Sequence, residues 1–461
     1  MAKATTDPVR LPPGPRLPKW VQGASFLAAP YALPAGLARR YGGAVSMRMP
    51  VFGQTVVVTD PVLVKDLFST GNELIERPTN LGRVVGPGSM WSLNGSALVE
   101  RRRLLVPPFH GKRVAEYERI VEEETLREIA TWPQGCEFET LDSMMRITLN
   151  VILRAVFGAQ GSELDELREV MPPSVELGSR LAMLPEVVLR DLGRWSPGGR
   201  IVRYRRRIDS VVDKLIADAR SDPAFDDRPD VLTLLLAARY EDGQPISDAH
   251  ISDELVTLMA AGHETTSLSL AWAVERLRRH PQLLARLTDE VDAGASRLRQ
   301  ATIWEVQRTR PVVNATMRRT LQRIRLGDWV IPGDSTLLIS IELAQQHPDH
   351  FPYPHSFDPD RYLTSGKTPP AWVAFGGGVY RCIGSAFATM EMDVAIRTML
   401  RELRFEPTDE QPERRHSRGT NMAPARGGRA VVYRRPGGVL GHAPARTDAA
   451  QTSLGSPSAT S

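Results

Sequence analysis

Two cysteines in 461 residues exclude a disulfide framework. The chain shows no long uninterrupted apolar run and no secretory leader pattern, so neither a membrane span nor export is expected, and a reducing cytoplasm is the expected location. Charge of one sign is not in excess either. Lysine and arginine number 58 against 54 acidic residues, a net +4, which gives no reason to expect nucleic acid as a partner. A dinucleotide fingerprint is missing as well: the only glycine cluster of that kind, Gly376-x-Gly378, has Arg381 where the third glycine would stand, so nicotinamide or flavin chemistry has no site of its own here.

What is present begins with one of those two cysteines. Cys382 lies in Phe375-Gly376-Gly377-Gly378-Val379-Tyr380-Arg381-Cys382-Ile383-Gly384. At the chain's own residue frequencies such a run would arise by chance about a few times in ten thousand sequences, glycine usage being near average. A lone cysteine is ordinarily a small buried hydrophobe. A glycine-rich turn running into a helix instead offers backbone N–H groups and a helix start that favour a thiolate.

Around that loop the chain reads as mostly helical. Residues 1–19, with Leu11-Pro12-Pro13-Gly14-Pro15, form a flexible extended leader. A hairpin is expected from Ala44 to Thr59 and a helix start at Asp60-Pro61. Helices fill residues 114 to 300, broken at Pro172-Pro173, Ser196-Pro197 and Asp226 to Pro229, and one of them runs from about Ser252 to His280. A second hairpin is expected from Trp329-Val330-Ile331 through Pro332-Gly333-Asp334 to Leu337-Leu338-Ile339. Residues 436–461 read as a disordered tail, leaving 20–435 as one catalytic unit.

Four further segments accompany the cysteine loop. Ala261-Gly262-His263-Glu264-Thr265-Thr266 sits inside the long apolar helix, where Ala261 and Thr265 share a face and the Thr265 hydroxyl can bond back to the Ala261 carbonyl. Glu305 and Arg308 are spaced to pair on one helical face. Phe357-Asp358-Pro359-Asp360-Arg361-Tyr362 follows about fifty residues later, and Arg101-Arg102-Arg103-Leu104-Leu105-Val106-Pro107-Pro108-Phe109 precedes them all. His347, His350, His355 and Asp349 could suggest a metal site, but their intervening prolines make a surface turn.

Together these segments resemble the cytochrome P-450 family, over nearly all of residues 11–435. The resemblance implies a mainly α fold with small β-sheets, an α+β architecture in which a single large helical domain carries a β-rich N-terminal lobe. It implies a b-type haem with Cys382 as axial thiolate, and Phe375, Gly384, Ala261 and Gly262 against the cofactor. Glu264 and Thr265 become the acid and alcohol that deliver protons to bound dioxygen, and Glu305, Arg308 and Arg361 a structural brace. Arg102 and Arg318 become propionate partners, with Arg319 an alternative to Arg318.

Two positions depart from the family pattern. Tyr380 replaces the usual Arg or His two residues before the cysteine, and Leu98 replaces the His or Trp four residues before Arg102. Tyr380 keeps one phenolic donor and Leu98 none, so the haem would be held by fewer charges than usual. The implied reaction is a monooxygenation, with electrons from a separate ferredoxin- or flavodoxin-type donor drawn to the basic run Arg101 to Arg113. The segments 78–97 and 160–200, with Val84, Val85, Met90, Trp91 and Leu181 to Leu184, lean towards a small lipophilic substrate. A peroxide-driven haem-thiolate enzyme and a haem sensor or carrier are the alternatives.

Overall fold

The computed structural model describes residues 1–442 except Tyr31, Thr79, Asn80, His110, 159–163, Met183, Pro185, Asp226, Asp227 and Pro229. Of the expected disordered tail, residues 443–461 lie outside the description, but 436–442 depart from the expectation: Val439–His442 forms a short 3-10 turn, held because the Leu440 amide donates to Glu402 and its side chain packs on the core. At the centre runs the helix Asp248–Arg278, apolar on most of its circumference and buried along nearly all of its length. Its start is set by Ser247, whose hydroxyl accepts the His250 amide, with Asp248 in the first turn and Arg276 and Arg278 in the last, the charge order its dipole favours. Leu141–Phe157 packs along it. At the crossing a Cβ on Gly262 would stand 3.1 Å from Ile152, so the glycine allows the two backbones their approach.

Asp165–Leu181 and Pro197–Ser221 form a pair on one side, and Arg297–Thr309 and Ser385–Glu402 lie on the other. Pro172-Pro173 does not break Asp165–Leu181; both prolines sit inside it. The packed apolar face, with Leu167, Val170 and Met171 buried, holds the turn together despite two missing N–H donors. Pro197 opens its helix as the first residue after Ser196, whose hydroxyl caps Gly199.

A five-stranded sheet forms the β-rich lobe, in the order Ala44–Met49, Gly53–Val58, Thr336–Ser340, Ala315–Thr320, Ile75–Glu76. Thr336–Ser340 runs parallel to Gly53–Val58 and the other pairs are antiparallel. The first hairpin stands as expected, and Asp60 caps Pro61–Phe68 by accepting the Val62 and Leu63 amides. The second does not form. Trp329–Ile331 pairs with Ile324–Leu326 in a separate sheet, because the turn at Asp334, φ 60°, delivers the chain to Thr320 through the Asp334 N–H and Thr320 carbonyl.

The leader is also docked rather than free. Lys3–Ala4 pairs with Ile324–Arg325, Arg10 bridges Val330, and Ala2 is buried. Edge strands recruit an extended segment readily, which the proline content alone did not reveal. No helix among the described residues is long and apolar enough to cross a membrane.

Candidate active site

A cavity of about 920 Å³ lies between the long helix, the sheet lobe and the loop before Ser385–Glu402. Cys382, Phe375, Gly376, Tyr380 and Gly384 line it from the loop, Ala261, Gly262, Glu264 and Thr265 from the long helix, and Arg318 from the strand Ala315–Thr320. Residues far apart in the sequence, Ala261 and Gly384 for example, thus share one space.

The loop owes its shape to close packing on Phe68. Gly376 and Gly378 have φ of 66° and 62°, and a Cβ on Gly378 would collide with the Phe68 carbonyl, so a side chain is excluded there on two counts. The Cys382 amide donates to the Phe375 carbonyl at 3.0 Å, and the Phe375 ring meets Trp372 edge-on at 5.8 Å. Cys382 is exposed to the cavity, and the protein around that cavity, by removing it from bulk water, pushes its thiol up, opposed by the Gly384 amide and the positive charges of Arg102 and Arg381. A positive metal ion would tip that balance to the thiolate.

Thr265 donates its hydroxyl to the Ala261 carbonyl at 2.7 Å within an uninterrupted helix, so the back-bond leaves the helix whole. Glu264 is not a free acid. Its carboxylate accepts from Arg418 Nε at 2.9 Å and Asn421 Nδ2 at 2.7 Å, residues that carried no signal in the sequence because nothing local links them to Glu264. His263, next in the chain, packs on Thr148 and is driven down to about 4, mainly by burial. It is neutral near pH 7.

Glu305, Arg308 and Arg361 come together as expected. Arg308 reaches Glu305 with two nitrogens at 2.7 and 2.8 Å, and Arg361 Nε and the Tyr362 hydroxyl meet the same carboxylate at 3.3 and 3.0 Å. Arg308 also donates to the Gln345 carbonyl, and the Gln345 side chain accepts the Val373 amide at 2.9 Å. The brace therefore reaches the cysteine loop two residues before Phe375. The histidines at 347, 350 and 355 gather no group of three metal-binding side chains among the described residues.

Strand alternation decides between the two arginines: Arg318 is buried toward the cavity, whereas Arg319 points out to Asp334 and Glu76. Arg102 is half-buried, and its charge acts on Cys382. Leu98 is fully buried in the apolar core. Tyr380 keeps its ring at the cavity, but its hydroxyl donates to Asn94 Oδ1 at 2.9 Å and is not offered to a ligand. Its ring lies under Arg318, with the guanidinium carbon 4.3 Å from the ring centre.

The basic run is not one surface patch. Arg101 is buried on Glu254 at 2.6 Å, Arg103 pairs with Glu241, and the side chains of Lys112 and Arg113 lie outside the description. Arg101 instead fixes the cavity wall: it donates to the Gly88 carbonyl, while Asp253 accepts the Gly88 amide and Ser89 meets Thr257 at 2.6 Å. Val84, Val85, Met90 and Trp91 from that segment line the cavity, as expected. Ala182 does so too, Leu184 is exposed, and Met183 lies outside the described residues.

The donor set fits a haem. Arg318, a buried arginine with no carboxylate partner among the described residues, suits a propionate, the glycine loop presents a thiol, and the long helix offers small residues as a flat wall. Comparisons with known proteins agree. The family model for cytochrome P-450 matches residues 12–427. The chain is 53% identical over 429 residues to cytochrome P-450 138 of Mycobacterium tuberculosis, covering 93% of this chain and 97% of that protein. It is 34% identical to cytochrome P-450 137 of the same organism, with coverage of 91% and 90%. Among solved structures, retinoic acid-bound cyanobacterial CYP120A1 superposes with a TM-score of 0.81 at 21% identity, over 93% of this chain and all of that one. The chain belongs to the cytochrome P-450 family, the haem-dependent monooxygenases.

Proposed function

We propose that this monooxygenase holds its haem through Cys382 and oxidises a lipophilic small molecule, with Glu264 and Thr265 handling protons. The observation that carries the proposal is that Cys382 and Thr265 line one cavity from two different elements. When bound, the haem would supply dioxygen activation, one oxygen atom passing to the substrate and the other leaving as water with the two protons and two electrons consumed. Everything else falls to the chain. The cysteine loop holds the thiol, the long helix presents Thr265 Oγ1 as a proton relay, and Glu264 is the acid behind it. A carboxylate held by Arg418 and Asn421 must exchange one of those bonds for the relay before it can pass a proton.

Apolar side chains from four directions, among them Val84, Met90, Val175, Ile208 and Val256, favour a lipophilic substrate. Electrons are proposed to come from a small acidic ferredoxin or flavodoxin. Of the basic run, Arg101 is withdrawn to the interior, so any docking charge there rests on Arg103 and its neighbours. A cytoplasmic location is inferred from the two free thiols, Cys136 being exposed.

The test is an optical one. The reduced protein with carbon monoxide should show the long-wavelength band of a thiolate ligand, and Cys382→His should lose it while still binding haem. A parent spectrum without that band would remove the proposal. A library of fatty acids, terpenoids and sterols should then include compounds that shift the ferric Soret band.

A further inference from the structure

Arg77 is a half-buried cation that no carboxylate contacts among the described residues, with Glu254 acting on it only at a distance. Its guanidinium lines the cavity beside Tyr380, one nitrogen donates to the Met90 carbonyl at 2.6 Å, and Nε is buried with no partner. No carboxylate pairs with it among the described residues. Arg318 is in the same condition, bonded only to the Thr316 hydroxyl and the Met317 carbonyl. The two guanidinium carbons stand 5.3 and 4.3 Å from the centre of the Tyr380 ring.

Burial lowers both arginines to about 10, and for Arg318 the charge of Arg77 adds to the effect. A buried guanidinium beside a half-buried one, neither in contact with a carboxylate among the described residues, is costly unless a ligand supplies the charge. Asn94 fixes the arrangement. Its side-chain oxygen accepts the Arg77 amide at 3.0 Å and the Tyr380 hydroxyl at 2.9 Å, and its nitrogen donates to the Arg77 carbonyl at 3.0 Å.

We propose that Arg77 is a carboxylate ligand for the haem propionates, acting with Arg318, and that Tyr380 is the positioning residue whose ring holds both guanidinium groups toward the cavity. The proposal rests on the haem reading above. It also accounts for the two departures from the family pattern. The charge absent at Leu98 and at Tyr380 is supplied from the segment after Ile75–Glu76, and the aromatic ring at position 380 is the cation–π surface that carries it.

The test compares haem with its dimethyl ester, which has the same macrocycle and no carboxylates. Parent, Arg77→Leu and Arg77→Gln are loaded with each, and transfer to excess apomyoglobin is timed. The carbon monoxide spectrum is recorded first to establish thiolate ligation. Loss of a charge-assisted hydrogen bond of about 1.5–3 kcal/mol predicts transfer about 10- to 150-fold faster from both variants with haem, and no difference from parent with the ester. Tyr380→Leu should fall between parent and Arg77→Leu.

Equal acceleration with haem and ester would mean that Arg77 only supports the Met90 segment, and would overturn the proposal, as would unchanged haem transfer in both variants. Should Arg77→Leu not fold, Arg77→Gln alone decides by the same comparison. A parent without the thiolate band would overturn the haem reading and this proposal together; a parent with that band and no ester-sensitive difference overturns this proposal alone.

Discussion

Glu264 and Arg418 are 154 positions apart in the chain and meet at 2.9 Å inside the cavity wall. Arg418 also reaches Glu176 at 3.4 Å, so one arginine from the C-terminal segment ties the long helix to Asp165–Leu181, the helix that carries several cavity-lining side chains. A single guanidinium therefore joins the carboxylate next to Thr265 to a second wall of the cavity.

If Glu264 is the acid behind Thr265, Glu264→Gln should lower the turnover of any identified substrate about 100-fold or more while leaving the ferric Soret spectrum intact. Arg418→Ala frees the carboxylate and should change the solvent deuterium isotope effect on turnover. Equal isotope effects in parent and Arg418→Ala would show that the ion pair does not control the proton step.

Glu305→Gln should be severely destabilising. The carboxylate is fully buried and compensates Arg308, itself fully buried, so the variant leaves an uncompensated interior cation at about 3–5 kcal/mol. Urea unfolding should show the midpoint falling, and haem occupancy after purification should fall with it, because the brace runs through Gln345 to Val373.

Glu391 gives a pH dependence with a definite sign. Burial raises its carboxyl to about 8, against 4.5 when unfolded, with a hydrogen bond to Thr266 opposing the shift. The native state therefore keeps a proton that the unfolded state releases, and this contribution to stability is complete below pH about 4.5 and lost as pH rises to about 8. Glu391→Gln removes that loss, so its urea midpoint should improve relative to the parent between pH 5 and pH 8. A constant difference between the two would contradict it.

Arg101→Gln should loosen the wall of the cavity rather than the haem. With Gly88 no longer held by Arg101 and Glu254 deprived of its cation, amides of residues 86–91 should exchange with deuterium faster. Binding of a Soret-shifting compound should weaken several-fold, and haem transfer should be unchanged.

How much of this was legible in advance differs by kind of feature. Cys382 could be read because a thiolate loop needs its glycines within a few residues, and Thr265 and Ala261 because one helical turn brings them together. Asp60 as a cap is similarly local. The Trp329 hairpin failed because alternation marks a strand without choosing its partner, and Gly53–Val58 lies almost three hundred residues from the strand it pairs with. Arg101 looked like a surface charge because a run of arginines carries no information about which of them faces Glu254.

The sequence by itself determined the mainly helical architecture, the glycine-rich cysteine loop and the Glu305–Arg308 pair, since each depends on residue types at short, fixed spacings, and those motifs carried the family resemblance that implied the haem. Tertiary structure alone decided which cations face the cavity. Arg77 over Tyr380, Arg418 on Glu264 and the outward turn of Arg319 depend on burial and on partners far along the chain. A charge finds its counterpart in space, and spacing in sequence does not record it.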